Sequence, residues 1–263
     1  MRVAMLASIS TLLAFLLLPF LGLLLHVSPR MLIARLGDRM VLDALRLSLI
    51  TSLCATALVA TIGTPVAWLL ATRNFPAKRL IEGLVDLPMV LPPTVAGLAL
   101  LLAFGRMGLA GRVLAVAGLS LPFTTLGVIT AQVFISAPFF IAALRAGFAS
   151  VDRRLLDVAA TLGASEAHAF RRVALPLAAP AFAAGAAMAC ARSLGEFGAT
   201  ITFAGNLPAV TQTMPLGVYV ALQSDLDAAI VLSVLLLIMS LGLLVFLRAA
   251  PTGLLSRLWS GHD

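Results

Sequence analysis

The chain has 263 residues, of which 61% are hydrophobic and only 11% charged, with a mean hydropathy of +1.10. Soluble domains carry roughly a quarter charged residues, so this composition excludes an ordinary soluble fold and predicts one all-α domain that crosses a membrane repeatedly. The net charge of +7 is almost wholly arginine, Lys78 being the only lysine; it gathers at the ends of apolar runs, where topology and lipid headgroups explain it better than nucleic acid does.

Six apolar runs, each near the ~20 residues that cross a hydrocarbon core, follow one another: roughly 3–27, 47–72, 87–104, 126–144, 173–191 and 228–247. They are continuous rather than alternating, which argues against a transmembrane barrel. The first is longer than the apolar stretch of a signal peptide and has no convincing small-residue cleavage site, so it is expected to remain as a helix. Mixed charges over 30–46 predict a short helix lying along the surface. Pro88, Pro92 and Pro93 interrupt the third run, where a kinked pore-lining helix and a simple packing kink both fit. Ala181, Gly185 and Ala189 recur every four residues in the fifth, a close-packing face. Cys54 and Cys190 are expected to pack as small hydrophobes. With no CxxC spacing and with His26, His168 and His262 scattered, no metal site and no catalytic constellation is expected.

An even number of spans puts both termini on one side. With the N-terminus inside, the inner segments hold eleven basic residues and the outer ones seven, the direction that membrane insertion favours. Both termini are therefore expected in the cytoplasm, and the segment of about 145–172 falls on the cytoplasmic side. The longest outer segment, about 192–227, is rich in Gly, Thr, Ala and Pro and is expected to dip back toward the membrane.

The segment 145–172 is the most informative part of the chain. Asp152 is placed to cap a helix, and Leu155, Val158, Ala159 and Leu162 then share one face. Gly163 stands where that helix must end, because glycine alone takes a left-handed conformation without penalty. Ser165 is a second N-cap, with Glu166 complementing the dipole of the helix it starts. Arg153, Arg154, Arg171 and Arg172 hold the loop inside and can also steer an acidic partner. An ordinary amphipathic hairpin would fit the same pattern.

The order Asp157-Val158-Ala159-Ala160, Gly163, then Val173-Ala174-Leu175-Pro176 resembles the "EAA" loop of ABC importer permeases, with Asp157 for the family's acidic residue and Val158 for its first alanine. The resemblance implies a type I permease fold of about six transmembrane helices, in one permease domain over 1–263. It implies that the loop docks on a cytoplasmic ATPase through Asp157, Ala159, Ala160, Leu162, Gly163 and Ser165.

Three further segments narrow the family. The sequences PVAWLL at 65–70, LPMVLPPTV at 87–95 and ARSLGEFGAT at 191–200, followed by GNLP at 205–208 and TQTMP at 211–215, are similar to molybdate-type permeases. Phe197 in place of a tyrosine, with the Thr-x-Thr-x-Pro run, leans toward molybdate over sulfate; tungstate belongs to the same group. A translocation or gate role is implied for Arg192, Gly195, Glu196, Phe197, Gly198 and Thr200, with Pro92 and Pro93. Glycine and threonine offer backbone N–H and hydroxyl donors to a tetrahedral dianion. Arg192 and Glu196, one helical turn apart, are expected to neutralise each other rather than to hold substrate.

By the same resemblance the chain is a homodimeric subunit of a bacterial inner-membrane importer. Its partners are an ATPase that carries ATP and magnesium and a periplasmic or lipid-anchored oxyanion-binding protein. The chain itself has no GxxxxGK[ST] phosphate loop, no cofactor and no nucleic-acid motif. A secondary transporter driven by an ion gradient is the alternative, but it needs ionisable residues at mid-span, and the predicted span centres carry none. An intramembrane hydrolase needs a nucleophile with a His or Asp partner, and neither GxSxG nor HExxH occurs.

Overall fold

The computed structural model describes residues 2–249; Arg257, His262 and the C-terminal end used in the topology argument lie outside them. The chain opens with α1 (Arg2–Leu25), a short α2 (Pro29–Leu36) and α3 (Arg39–Thr72). Next come α4 (Lys78–Val90) and α5 (Pro93–Phe104), whose axes are bent by 118°, then α6 (Gly111–Val116) and α7 (Thr125–Ala149). A loop of short helices follows: α8 (Arg153–Thr161), α9 (Glu166–Ala169), a π turn over Phe170–Ala174 and α10 (Leu175–Leu177). It leads, through a 72° bend, into α11 (Ala179–Leu194), after which α12 (Gly198–Phe203), α13 (Met214–Ser224) and α14 (Leu226–Ala249) complete the described chain. Among the described residues there is no strand, and the fold is all-α.

Four helices are long and apolar enough to cross a membrane alone, and six spans result if each bent pair counts as one. The third and fifth predicted spans are therefore not continuous helices. Pro92 and Pro93 lack N–H groups and cannot continue the ladder of α4, so 87–104 breaks after Leu91. The run 173–191 breaks at Ala178, and Pro180 sits in the first turn of α11, where its missing N–H costs no helical hydrogen bond. The surface helix expected over 30–46 shrinks to α2, because Arg39–Arg46 belongs to α3.

The bundle is built on α3, α7 and α11. Small residues let their backbones approach: a Cβ on Gly147 would lie 2.3 Å from Ala181 Cβ, and one on Gly63 would lie 3.0 Å from Phe140. A Cβ on Gly185 would lie 3.2 Å from Phe140 and 3.3 Å from Ala143. The expected face of Ala181, Gly185 and Ala189 thus packs within the chain. These contacts make α11 antiparallel to α7. Gly63 beside Phe140, with Trp68 beside Phe148 at 5.2 Å, makes α3 parallel to it. Cys190 is buried here, whereas Cys54 is exposed on the outside of α3 and does not pack as expected.

α13 and α14 form a hairpin against the first turns of α3. Val41, Ala44, Met214, Ala221, Ala229 and Leu232 share one core there, and Met214 N–H donates to Ser48 Oγ at 2.7 Å. Arg35 of α2 pairs with Asp225, between α13 and α14, at 2.5 Å. The Asp225 carboxylate is held below its ordinary range, first by the Ala228 N–H that it accepts and then by Arg35.

Candidate functional site

The loop after α7 takes the shape that the sequence implies. Asp152 accepts from Arg154 N–H at 3.0 Å and starts α8. At the other end Gly163 has φ +82°. Its N–H donates to Ala160 C=O and that of Ala164 to Ala159 C=O, each at 2.9 Å, the paired hydrogen bonds of a Schellman stop. Ser165 then accepts from His168 N–H at 3.3 Å and starts α9.

Helix α8 turns two apolar sides in opposite directions. Leu156 packs inward on the cluster of Trp68, Phe148 and Phe170, whose rings lie 5.2–5.9 Å apart. Leu155, Val158 and Leu162 face outward, Leu162 being 82% exposed. Asp157, Ala160, Gly163 and Ser165 are exposed with them, and Ala159 partly so. Beneath α8 lies a cavity of roughly 550 Å³, between Trp68, Thr72, Phe148 and Asp157. The outward side, Leu155, Val158 and Leu162, is an apolar strip on a short helix fixed at both ends, whereas Asp157 and Ala160, though exposed, border the cavity beneath it.

The second group of implied residues lies near the far end of α11. α11 runs one turn past the predicted span, and Arg192 and Ser193 belong to its last turn. Glu196 is 1% exposed and Arg192 is 31% exposed, and their side chains pair at 2.8 Å. The other carboxylate oxygen of Glu196 accepts from Ala199 N–H at 2.8 Å, at the start of α12. One buried carboxylate is thus met by a guanidinium and by a backbone donor, which is what makes its burial tolerable.

α12 does not hang outside the bundle. Ala199 and Phe203 share a core with Ala96 and Leu100 of α5 and Ala131 and Ile135 of α7. Glu196, three residues before Ala199, is thus a buried ionisable group outside the predicted span centres. It is already committed to two partners, unlike a free coupling carboxylate. The contact of α12 with α5 is the closest of the region: a Cβ on Gly198 would lie 2.6 Å from Pro93 Cβ, and one on Gly97 would lie 2.6 Å from Thr202 Cβ.

Pro92 caps α5 and Pro93 opens it, and Pro93 meets Gly198 at the break. Gly195 ends α11, and Phe197 stacks in tilted fashion on Tyr219 at 5.2 Å. Thr200 is fully buried, and its hydroxyl has no hydrogen-bond partner among the described residues; the same holds for Ser136 and Ser193.

The structure brings the implied gate residues together but keeps them apart from the α8–α9 loop, with the ~24 Å of α11 between. Sequence reasoning missed Gly97, Gln132, Ser136 and Ser193. Gln132 and Ser136, four apart in an apolar run and both buried, were the available signal.

Residues 63–250 match the family described as binding-protein-dependent transport system inner membrane component. The chain belongs to this family. It is 45% identical over 197 residues to the molybdenum transport system permease protein of Mycobacterium bovis, covering 75% of each chain. Against the Escherichia coli K12 protein of the same name it is 40% identical, covering 69% of this chain and 80% of the relative. The molybdate/tungstate transport system permease protein of Thermococcus kodakarensis is 38% identical, with 83% and 82% covered. Among solved structures, a bacterial ABC transporter that imports alginate superposes with a TM-score of 0.74 at 15% identity, over 98% of this chain and 95% of that one. Such a likeness establishes the fold: this is the type I importer permease architecture in a multi-pass inner-membrane protein.

Proposed function

We propose that this chain is the permease subunit of an ATP-driven importer for molybdate or tungstate, and that the whole of 1–263 is one permease domain. The observation that carries the reading is the outward apolar strip of α8, between the Asp152 cap and the Gly163 stop. The names of the relatives supply the cargo. ATP and magnesium belong to a cytoplasmic ATPase, which Asp157, Ala159, Ala160, Leu162, Gly163 and Ser165 engage. A second copy of the chain and an oxyanion-binding protein complete the complex, with both termini inside.

Closure of the ATPases moves α8. That motion passes along α9 and α10, across the 72° bend, into α11, and so to Arg192, Gly195, Glu196, Phe197, Gly198 and Thr200. There α12 and the Pro92–Pro93 end of α5 meet, and their separation opens a path. Since Arg192 is spent on Glu196, the path holds no strong cation trap, and the anion leaves as readily as it enters.

Purified complex in liposomes, with the ATPase inside and loaded binding protein outside, is expected to accumulate molybdate only when ATP is supplied. Uptake by the permease alone, driven by a sodium or proton gradient, would overturn the proposal in favour of a secondary transporter.

A further inference from the structure

Two ion pairs on the α8 side of the bundle have no part in the route above, and they bracket one segment. Arg73, the residue after α3, pairs with Glu166 of α9 at 2.6 Å. Further along, Glu82 of α4 pairs with Arg145 of α7 at 3.2 Å. The chain between them is stiff. Phe75 packs against the cluster of Phe140, Leu144 and Phe148, and Val85, one turn after Glu82, packs there too. Ala77 has φ 64°, a left-handed backbone that a non-glycine residue keeps only where its surroundings impose it. Lys78 N–H donates to Phe75 C=O at 3.2 Å across the same corner. Beyond Val90 come the 118° break and Pro93, which abuts Gly198.

We propose that residues 73–91 form a transmission arm from the docking loop to the broken helix, with Arg73, Glu82, Arg145 and Glu166 as its positioning residues. The proposal rests on the importer reading and adds a second route to the one through α11. Both routes start in the α8–α9 loop and end at the Pro93–Gly198 contact, one on each side of it. The α11 route moves α12, and the arm moves α5.

The electrostatics give the two pairs different tasks. Arg73 and Glu166 are more than half exposed (58% and 60%), so water screens them and their pair adds little stability; it acts as a guide that follows α9. Arg145 and Glu82 are about a third exposed (32% and 27%), so screening is weaker. No residue of α4 is fully buried, which leaves the Arg145–Glu82 pair as its one polar tie to α7 among the described residues. Arg145 lies one turn before the end of α7, close to the start of the docking loop. A shift of that end therefore reaches α4 directly.

The test uses the complete importer in liposomes and reads two rates, ATP hydrolysis stimulated by loaded binding protein and oxyanion uptake. In Glu82→Gln and in Arg145→Gln, stimulated hydrolysis is expected within about twofold of wild type, because α8 still docks. Uptake per ATP is expected to fall about tenfold, within the 5–150-fold range of ordinary coupling between sites. The exchanged pair Glu82→Arg with Arg145→Glu should recover most of the ratio.

A purely structural tie would lower insertion, or both rates together, and leave the ratio unchanged; that result overturns the arm. The neutral double variant Glu82→Gln with Arg145→Gln serves if the exchanged pair does not insert. A ratio no worse than either single supports the pair, and additive losses overturn it. A wild-type complex that fails to couple uptake to ATP strikes the importer reading itself, so the two failures are distinct.

Discussion

Replacement of Gly163 offers the cleanest test of the docking loop, because its cost comes from the backbone alone. The residue has φ +82°, and a Cβ built there meets nothing within 4 Å. Substitution therefore creates no clash, and what remains is the preference of the new residue for positive φ. Asparagine takes that conformation readily. Alanine pays roughly 1–2 kcal/mol, and a β-branched valine lies in the strained class of about 1–3 kcal/mol. Such a sum is too small to unfold a bundle of this size. It is enough to undo the stop formed by the Gly163 and Ala164 N–H groups, and so to turn α8 away from the ATPase.

Coupling free energies between sites are of the same order. Gly163→Val should thus lower ATPase co-purification and binding-protein-stimulated hydrolysis about tenfold or more, with expression near normal. Gly163→Ala should lie between, and Gly163→Asn near wild type. Equal stimulation in the valine and asparagine variants would refute the reasoning, since the conformation at this residue would then not matter to docking.

Reporter fusions after Arg79, Arg154 and Arg248 are expected to read cytoplasm, and those after Gly108 and Asn206 the exterior; an exterior signal at Arg154 would remove the loop from its ATPase. Arg192→Ala should damage assembly or gating by stranding the buried Glu196, and adding Glu196→Gln should restore part of the uptake. A rise in apparent KM from Arg192→Ala alone would point instead to direct contact with the anion. The Arg35–Asp225 tie should persist in moderately acidic medium. The folded carboxylate titrates below its unfolded value, so its stabilising effect is present above the unfolded value and is lost only as pH falls through the folded one. Hydrogen exchange in α2 as a function of external pH checks this, with Asp225→Asn expected to expose α2 at every pH.

What the sequence made legible was local. Caps at Asp152 and Ser165, the stop at Gly163 and the pair Arg192–Glu196 each depend on residues within a turn of one another, and each is where short-range chemistry places it. Apolar length located the spans that are single helices. It could not reveal that two others are bent, since hydropathy is blind to direction, and the prolines at 88, 92 and 93 gave a place for a break but no angle. Ala178 carries no signal of its own. Long-range neighbours were illegible: nothing in Gly97 names Thr202, and nothing in Glu166 names Arg73. The burial of Glu196 was missed for the same reason, because the depth of α12 is set by α5 and α7 and not by its own sequence. The exposure of Cys54 likewise follows from which side of α3 the other helices cover.

The meeting of Pro93 with Gly198 has a further consequence. At that point two helices begin and two others have just ended, so the wall consists of tips rather than of unbroken rods. A rod parts from its neighbour only by tilting over its whole length or by sacrificing hydrogen bonds in its ladder. Tips separate as rigid pieces, and what they lose is a few side-chain contacts. On the proposed route the septum there is thin, since α12 has only six residues and rises ~9 Å, so an anion that follows that route has little dry ground to cross and a small hinge motion is enough to change which side it faces.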